Sequence, residues 1–420
     1  MKISTSILLL LVTIITAGCF QTEKNDKDLN PGAADILGKP EYMAFSYGGY
    51  RHKTRDTVPT VEDLKEDMKI LSAMGVKLLR TYNTQQYSHA ANLLEAIRQL
   101  KNEDTGFEMY VMLGAWIDCK DAWTESPDHT GEDIENNTAE IEAAVQLLNK
   151  YPDIVKIIAV GNEAMVHWAA SYYVYPGVIL KWVNYLVELR KSGKIPETTW
   201  ITSSDNFASW GGGDDSYHTD DLVALIKAVD FISLHTYPFH DTHYNPDFWL
   251  VPDNEKDLSE QEQIEAAMIR ARDYAMSQYQ AVADYIKSLG IDKPLHIGET
   301  GWASVDNSLY GADGSGAADE YKGKLYYDHI REWTNTAGIS CFYFEAFDEK
   351  WKDYGNTLGS ENHFGLINLQ GEAKYALWDM VDQGVFEGLT RNGVRITKTY
   401  EGSRDGLMAD VLPPPGEPVE

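Results

Sequence analysis

The chain has 420 residues, 43% of them hydrophobic and 24% charged, and its 36 Lys plus Arg against 65 Asp plus Glu leave a formal net charge of −29. A field this negative repels nucleic-acid phosphate and anionic membrane surfaces, which excludes nucleic-acid binding and adsorption to lipid headgroups. It suits an enzyme acting on a neutral or weakly charged substrate, and the length suffices for one large core of the size that α/β barrels reach as single domains.

Lys2, an apolar run from Ile7 to Ile15 and the sequence Thr16-Ala17-Gly18-Cys19 open the chain. A basic start, a short apolar stretch and small residues before a cut site predict a secretory signal over residues 1–18, too short to span a membrane in the mature protein. Cys19 directly after Ala-Gly resembles a bacterial lipobox, with Thr16 where leucine is usual. That resemblance implies that Cys19 becomes the first mature residue and carries a lipid. The exported protein would then sit on a bacterial membrane, at the outer membrane or cell surface, touching it through that lipid alone. Residues 19–38 are too polar to offset the cost of ordering and predict a flexible tether. Residues 39–400 predict one large domain, and 401–420, acidic and ending LPPPGEPVE, a loosely held tail. Cys119 and Cys341 remain; export permits a disulfide, but two cysteines make no framework, and their pairing stays open.

Within the large domain a short β-rich run followed by a helical pattern recurs eight times. The runs are MAFSYG from Met43, VKLLRTY from Val76, FEMYVMLG from Phe107, IVKIIAVG from Ile154, TTWITSS from Thr198, FISLHTY from Phe231, PLHIGE from Pro294 and ISCFYFEAF from Ile339. Most are apolar throughout, as parallel strands covered on both faces must be. Amphipathic stretches lie between them, over 61–74, 135–150, 177–190, 219–229, 259–288, 318–335 and 373–381. Thr60 is positioned to cap the first, with Asp63 closing an imperfect capping box. Eight strand-then-helix repeats predict a single (β/α)8 TIM barrel, and no Gly-rich dinucleotide or P-loop fingerprint follows the first strand.

Catalysis in such a barrel belongs at the C-terminal ends of the strands. Those ends carry Arg80, Tyr82 and Asn83 on the second strand, Trp116 on the third, Asn162 and Glu163 on the fourth, and His235 and Tyr237 on the sixth. Glu299 and Trp302 follow on the seventh, and Glu345, Asp348, Glu349, Trp351 and Lys352 on the eighth. A strand-end glutamate by itself is commonly a surface charge; two on facing strands, walled by aromatics, are what glycosidic cleavage needs. One carboxyl must donate a proton to the leaving oxygen and the other must be ionised to attack the anomeric carbon. Aromatic faces stack on pyranose rings, while Arg, Asn and His fix hydroxyls. His240-Asp-Thr-His243 has metal-like spacing but no helix pattern or third ligand, so it is expected as a loop beside the cleft. No metal or cofactor is expected.

The segment PLHIGETGWAS, Pro294 to Ser304, resembles the signature of glycoside hydrolase family 17, the β-1,3-glucanase and lichenase family. In that family the glutamate before Thr-Gly-Trp is the nucleophile, which implies Glu299, and IIAVGNEA resembles the acid/base motif, which implies Glu163. AFSYGG, LLRTYN, FEAFDEKWK and HFGLIN resemble further family segments in the same order, so the likeness runs from about Tyr47 to Leu377. Ala303 stands where proline is usual, and the loop over 239–262 looks longer than in plant members. The resemblance implies a retaining hydrolase of laminarin-like β-1,3-glucan; endo action and a monomer are expected, with endo against exo left open by the sequence. The resemblance also implies a substrate-binding set of Tyr47, Arg80, Tyr82, Trp116, Asn162, Trp168, His235, Tyr237, Trp302, Glu345, Glu349 and Lys352. A β-1,3-glucanosyltransferase would use the same two glutamates, and a surface glycan-binding lipoprotein would need neither.

Overall fold

A computed structural model describes residues 30–85 and 88–419. The signal segment and Cys19 lie outside the described residues. Among those described, eight parallel strands close into a barrel: β1 (Met43–Ser46), β2 (Val76–Arg80), β3 (Tyr110–Ala115), β4 (Val155–Asn162), β5 (Trp200–Asn206), β6 (Ile232–His235), β7 (Leu295–Gly301) and β8 (Cys341–Phe344). Each lies beside its chain neighbour, and β8 closes on β1 with Phe45 opposite Tyr343. All eight of the expected strands are therefore present, with the (β/α)8 order.

The helices sit where the apolar spacing places them: α1 (Val61–Ala73), α2 (His89–Glu103), α3 (Ile134–Lys150), α4 (Pro176–Lys191), α5 (Asp220–Ala228), α6 (Glu260–Ser288) and α7 (Glu320–Ala337). Asp63 N donates to Thr60 Oγ1 at 3.2 Å and Thr60 N to Asp63 Oδ2 at 2.9 Å, so the capping box at the start of α1 is reciprocal. Gly338, at φ +66°, ends α7 in the left-handed conformation that glycine adopts without penalty. Helix α2 is an addition to the predicted set; its Leu93, Leu94, Ile97 and Leu100 are buried on one face.

Two stretches expected to be loose are packed. Ala33–Ile36 forms a short helix whose Ala33 and Ile36, with Leu37, join Ala44, Leu78, Met112, Ile157 and Phe231 in one apolar cluster. Residues 32–38, expected as part of the tether, are therefore packed, because those three apolar side chains gain burial. The C-terminal stretch carries a helix at Arg404–Met408 with Leu407 buried, and Val251 N donates to Pro415 O at 3.0 Å. The last expected helix begins at Trp378 rather than Ala373, because Glu372–Ala373 pairs with Thr397–Lys398. Cys119 and Cys341 are free and buried.

Along the strands the positions that alternate with the outer core change character, from Ala44 to Ser46, Leu78 to Arg80, and Phe231 to Ser233 and His235, all buried. The barrel is thus apolar at one end and polar at the C-terminal ends of its strands, and the polar end holds the site.

Candidate active site

The C-terminal ends of the strands open into a cleft of about 1550 Å³. That exceeds the usual volume of a small-molecule pocket, roughly 300–1,000 Å³. Glu163 and Glu299 both line it, and one carboxylate oxygen of each lies within 4.8 Å of the other and of a His235 ring nitrogen.

The backbone delivers Glu163 by a deliberate irregularity. The register of β4 against β5 shifts between Ala159 and Asn162, Gly161 takes φ +81°, and Glu163 itself takes φ +46°. A side chain at Gly161 would start 2.9 Å from Ala164 Cβ as well as adopting a disfavoured φ, so glycine is required there. Glu163 N donates to Ser204 O at 3.0 Å, which fixes the turned residue to β5. A non-glycine residue at positive φ costs about 1 kcal/mol or more and is the kind of strain found at working sites.

Glu299, on β7, is buried and held from three sides. Arg80 Nη1 donates to its Oε1, Tyr237 Oη donates to its Oε2 at 2.9 Å, and His235 Nδ1 lies 3.6 Å from Oε2. Burial by itself would raise this carboxyl; the Arg80 charge, foremost, with the Tyr237 hydroxyl, outweighs it and holds it down at about 2. Arg80 Nη2 donates to Asn162 Oδ1, so one guanidinium aligns the residue before Glu163 with Glu299. His235 Nδ1 lies 3.0 Å from Glu163 Oε1. Asp205, on β5, is fully buried beneath the same turn and accepts from Met165 N at 2.8 Å; burial, reinforced by the Glu163 charge, raises it to about 7. Glu163, His235 and Glu299 offer metal-type donors, but those atoms already engage one another, Arg80 and Tyr237.

The expected substrate-binding residues divide by position. Tyr82, Trp116, Asn162, Trp168, Tyr237, Glu349 and Lys352 line the cleft. Tyr47 lines it too, but its hydroxyl donates away from it, to buried Asp67 at 2.9 Å. Arg80, His235 and Glu345 lie beneath the lining residues and touch them: Lys352 Nζ donates to Glu345 Oε1 and lies 3.2 Å from Glu349. Burial keeps the Glu345 carboxyl well above the usual range despite Lys352, with Glu349 pushing the same way. Trp302 corrects an expectation. It is buried in the core against Phe239, Trp249 and Tyr326, and its Nε1 donates to Ala317 O at 2.8 Å, so the residue stabilises the loop after β7 and does not face the cleft.

The wall aromatics that were not among the expected residues include Trp123, Tyr172 and Tyr244. Trp123 is 61% exposed on the loop between the paired segments Cys119–Lys120 and Asp128–Glu132. Its ring stacks on Tyr172 at 4.9 Å, and Tyr172 meets Trp116 at 5.1 Å. An exposed tryptophan amid the polar sequence CKDAWTESP was the available signal. His240 lines the cleft from a short helix, Pro238–Tyr244, instead of the expected loop.

A model of the BtgE/BtgC glycoside hydrolase domain matches residues 44–365. Among solved structures, an endo-laminarinase from Formosa Hel1_33_131 is 63% identical, with a TM-score of 0.90, covering 91% of this chain and 98% of that one. A glucan 1,3-beta-glucosidase of Arthroderma benhamiae is 25% identical over 322 residues, 74% of this chain and 83% of its own. A Rhizomucor miehei beta-1,3-glucanosyltransferase mutant, solved with laminaritriose, is 22% identical, with a TM-score of 0.54 over 78% of this chain and 93% of that one, a likeness of fold. With the family domain spanning the barrel from β1 past β8, and both glutamates inside it, the chain belongs to the BtgE/BtgC glycoside hydrolase family.

Proposed function

We propose that this chain is a retaining, endo-acting hydrolase of laminarin-like β-1,3-glucan, with Glu299 as nucleophile and Glu163 as acid/base. The observation that carries the reading is the pair of carboxylates within 4.8 Å of one another in unequal surroundings. Glu299 is held ionised by Arg80, ready to attack the anomeric carbon. So close an approach of one oxygen from each fits a retaining pair, whose carboxyls stand about 5–5.5 Å apart, better than an inverting pair at roughly 6.5–9.5 Å. As the glycosyl–Glu299 bond forms, the glycosidic bond breaks and its oxygen takes the Glu163 proton. Glu163 then removes a proton from water, and that water displaces Glu299. The relative named as an endo-laminarinase supports both the substrate class and internal cleavage. A binding protein would have no use for an ionised carboxylate buried against a second one.

Separate substitutions distinguish the roles. Glu299→Ala is expected to abolish turnover of every substrate, on the order of 10⁴-fold or more. Glu163→Ala is expected to lose about 10²–10⁴-fold on laminarin while sparing bond cleavage in an activated aryl glucoside, whose leaving group needs no proton. Equal losses on both substrates in both variants would overturn the assignment.

We also propose that the protein is exported and held to a bacterial membrane by lipid on Cys19, a reading supported by Thr16-Ala17-Gly18-Cys19 behind an apolar run. No helix among the described residues is long and apolar enough to cross a membrane. Cys19→Ala is expected to move the enzyme from the membrane fraction to the soluble one with activity intact; an unchanged membrane fraction would contradict the anchor.

A further inference from the structure

His235 is completely buried, yet its ring spans from the two glutamates to a pair of serines. Nδ1 lies 3.0 Å from Glu163 Oε1 and 3.6 Å from Glu299 Oε2. On the other side Nε2 lies 2.8 Å from Ser204 Oγ, and Ser204 Oγ lies 2.8 Å from Ser233 Oγ. Gly298 makes room for the serine pair, since a Cβ there would fall 2.2 Å from Ser233 Oγ and 2.4 Å from Ser204 Oγ.

The proton on the ring can occupy either nitrogen, and its neighbours decide which. With the proton on Nε2, the Nδ1 lone pair would face the ionised Glu299 and could be met only by the Glu163 proton. That would turn the acid's proton away from the cleft. With the proton on Nδ1, every group is satisfied in one direction. The Ser233 hydroxyl donates to Ser204, the Ser204 hydroxyl donates to Nε2, and Nδ1–H donates to Glu163 Oε1.

We propose that Ser233, Ser204 and His235 form a positioning relay that locks the imidazole as the Nδ1–H tautomer and so keeps the acidic proton of Glu163 on its other oxygen, the one left for the leaving group. The inference rests on the acid/base assignment of Glu163 above. When Glu163 gives up its proton, the same N–H donates to the new carboxylate and supports it as the base of the second step. None of the three touches the sugar; they act through Glu163.

Glu163 is faced by His235 from β6, Glu299 from β7, Asp205 from β5, Tyr172 from its own loop and Tyr237 beyond β6, with Arg80 of β2 balancing Glu299. Against this fixed set, Ser204→Ala removes one hydroxyl and no charge. Freed from its donor, Nε2 can take the proton, and the donation to Glu163 weakens. The ionised form of Glu163 is then less favoured, so the alkaline limb of kcat/KM moves to higher pH. Losing one such hydrogen bond should shift the limb by about 0.5–1 unit and lower kcat on laminarin about ten-fold, with KM within about two-fold. In the wild-type enzyme, ¹⁵N shifts of labelled histidine, with the His235 signal identified by its loss in His235→Asn, should report protonated Nδ1 and bare Nε2. A protonated Nε2 in the wild type overturns the relay, whatever the variants do. So does a folded Ser204→Ala enzyme, judged by its melting midpoint, whose alkaline limb has not moved. If Glu163→Ala fails to spare the activated aryl glucoside, the acid/base assignment itself falls, and the relay with it.

Discussion

Arg80 is the residue on which the charge pattern of the site turns. Its guanidinium is buried, bonded to Glu299 and to Asn162, and its own protonated state is reinforced by Glu299. Without it, burial would dominate at Glu299 and lift that carboxyl from about 2 toward and beyond its ordinary value. An enzyme that needs Glu299 ionised should then lose activity from the acid side. Arg80→Gln is expected to move the acid limb of kcat/KM upward by about 1–3 units, the usual effect of removing an adjacent opposite charge. It should also destabilise the fold by about 3–5 kcal/mol, because a buried carboxylate is left unpaired. A pH–rate profile with an unmoved acid limb would show that Glu299 does not depend on Arg80 for its charge.

The segment between β3 and α3 carries its own prediction. Its short paired strands are tied to the loop after β4 by Cys119 N to Tyr172 O at 3.0 Å and Trp123 N to Ser171 O at 2.8 Å. That tie sets Trp123, Tyr172 and Trp116 in one aromatic bank in the cleft wall, the place for the departing part of a glucan under the acid/base role proposed for Glu163. Trp123→Ala should change stability by no more than about 0.5 kcal/mol, since the side chain is largely exposed. It should raise KM about ten-fold on long laminarin oligosaccharides, as loss of one stacked ring implies, and much less on short ones. Trp302→Ala should do the reverse, costing about 3–5 kcal/mol of stability through a core cavity. Comparable losses of affinity in both would contradict the positions given to these two tryptophans. The two also show what the chain could and could not reveal on its own. All eight strands were legible because parallel barrel strands are largely apolar on both faces; Glu299 stood in a specific motif, whereas Asn162-Glu163 gained weight only from its pairing with Glu299 on a facing strand. Trp302 was misplaced because a residue next to a catalytic glutamate can turn either way at a strand end. Helix α2 escaped because Ser88 makes no side-chain cap and a polar run precedes it, although Leu93, Leu94, Ile97 and Leu100 held the helical spacing. The serine relay depends on cross-strand register, Ser204 opposite Ser233, which no local pattern contains.

For the molecule as a whole, the barrel separates two tasks along its axis. The apolar end is sealed by Ala33, Ile36 and Leu37, and the polar end holds a buried ion pair beneath an open cleft. The negative field over the surface disfavours anionic polymers and does not oppose a neutral polysaccharide, in keeping with the proposed substrate. The central claim, that two glutamates at the retaining spacing cleave by double displacement, has a direct test in the configuration of the new reducing end. Proton NMR of a fresh laminarin digest should show the β-anomer accumulating first, with the α-anomer appearing later at the rate of mutarotation. An α-anomer that appears first would mean single displacement by water and would contradict the roles given to Glu163 and Glu299.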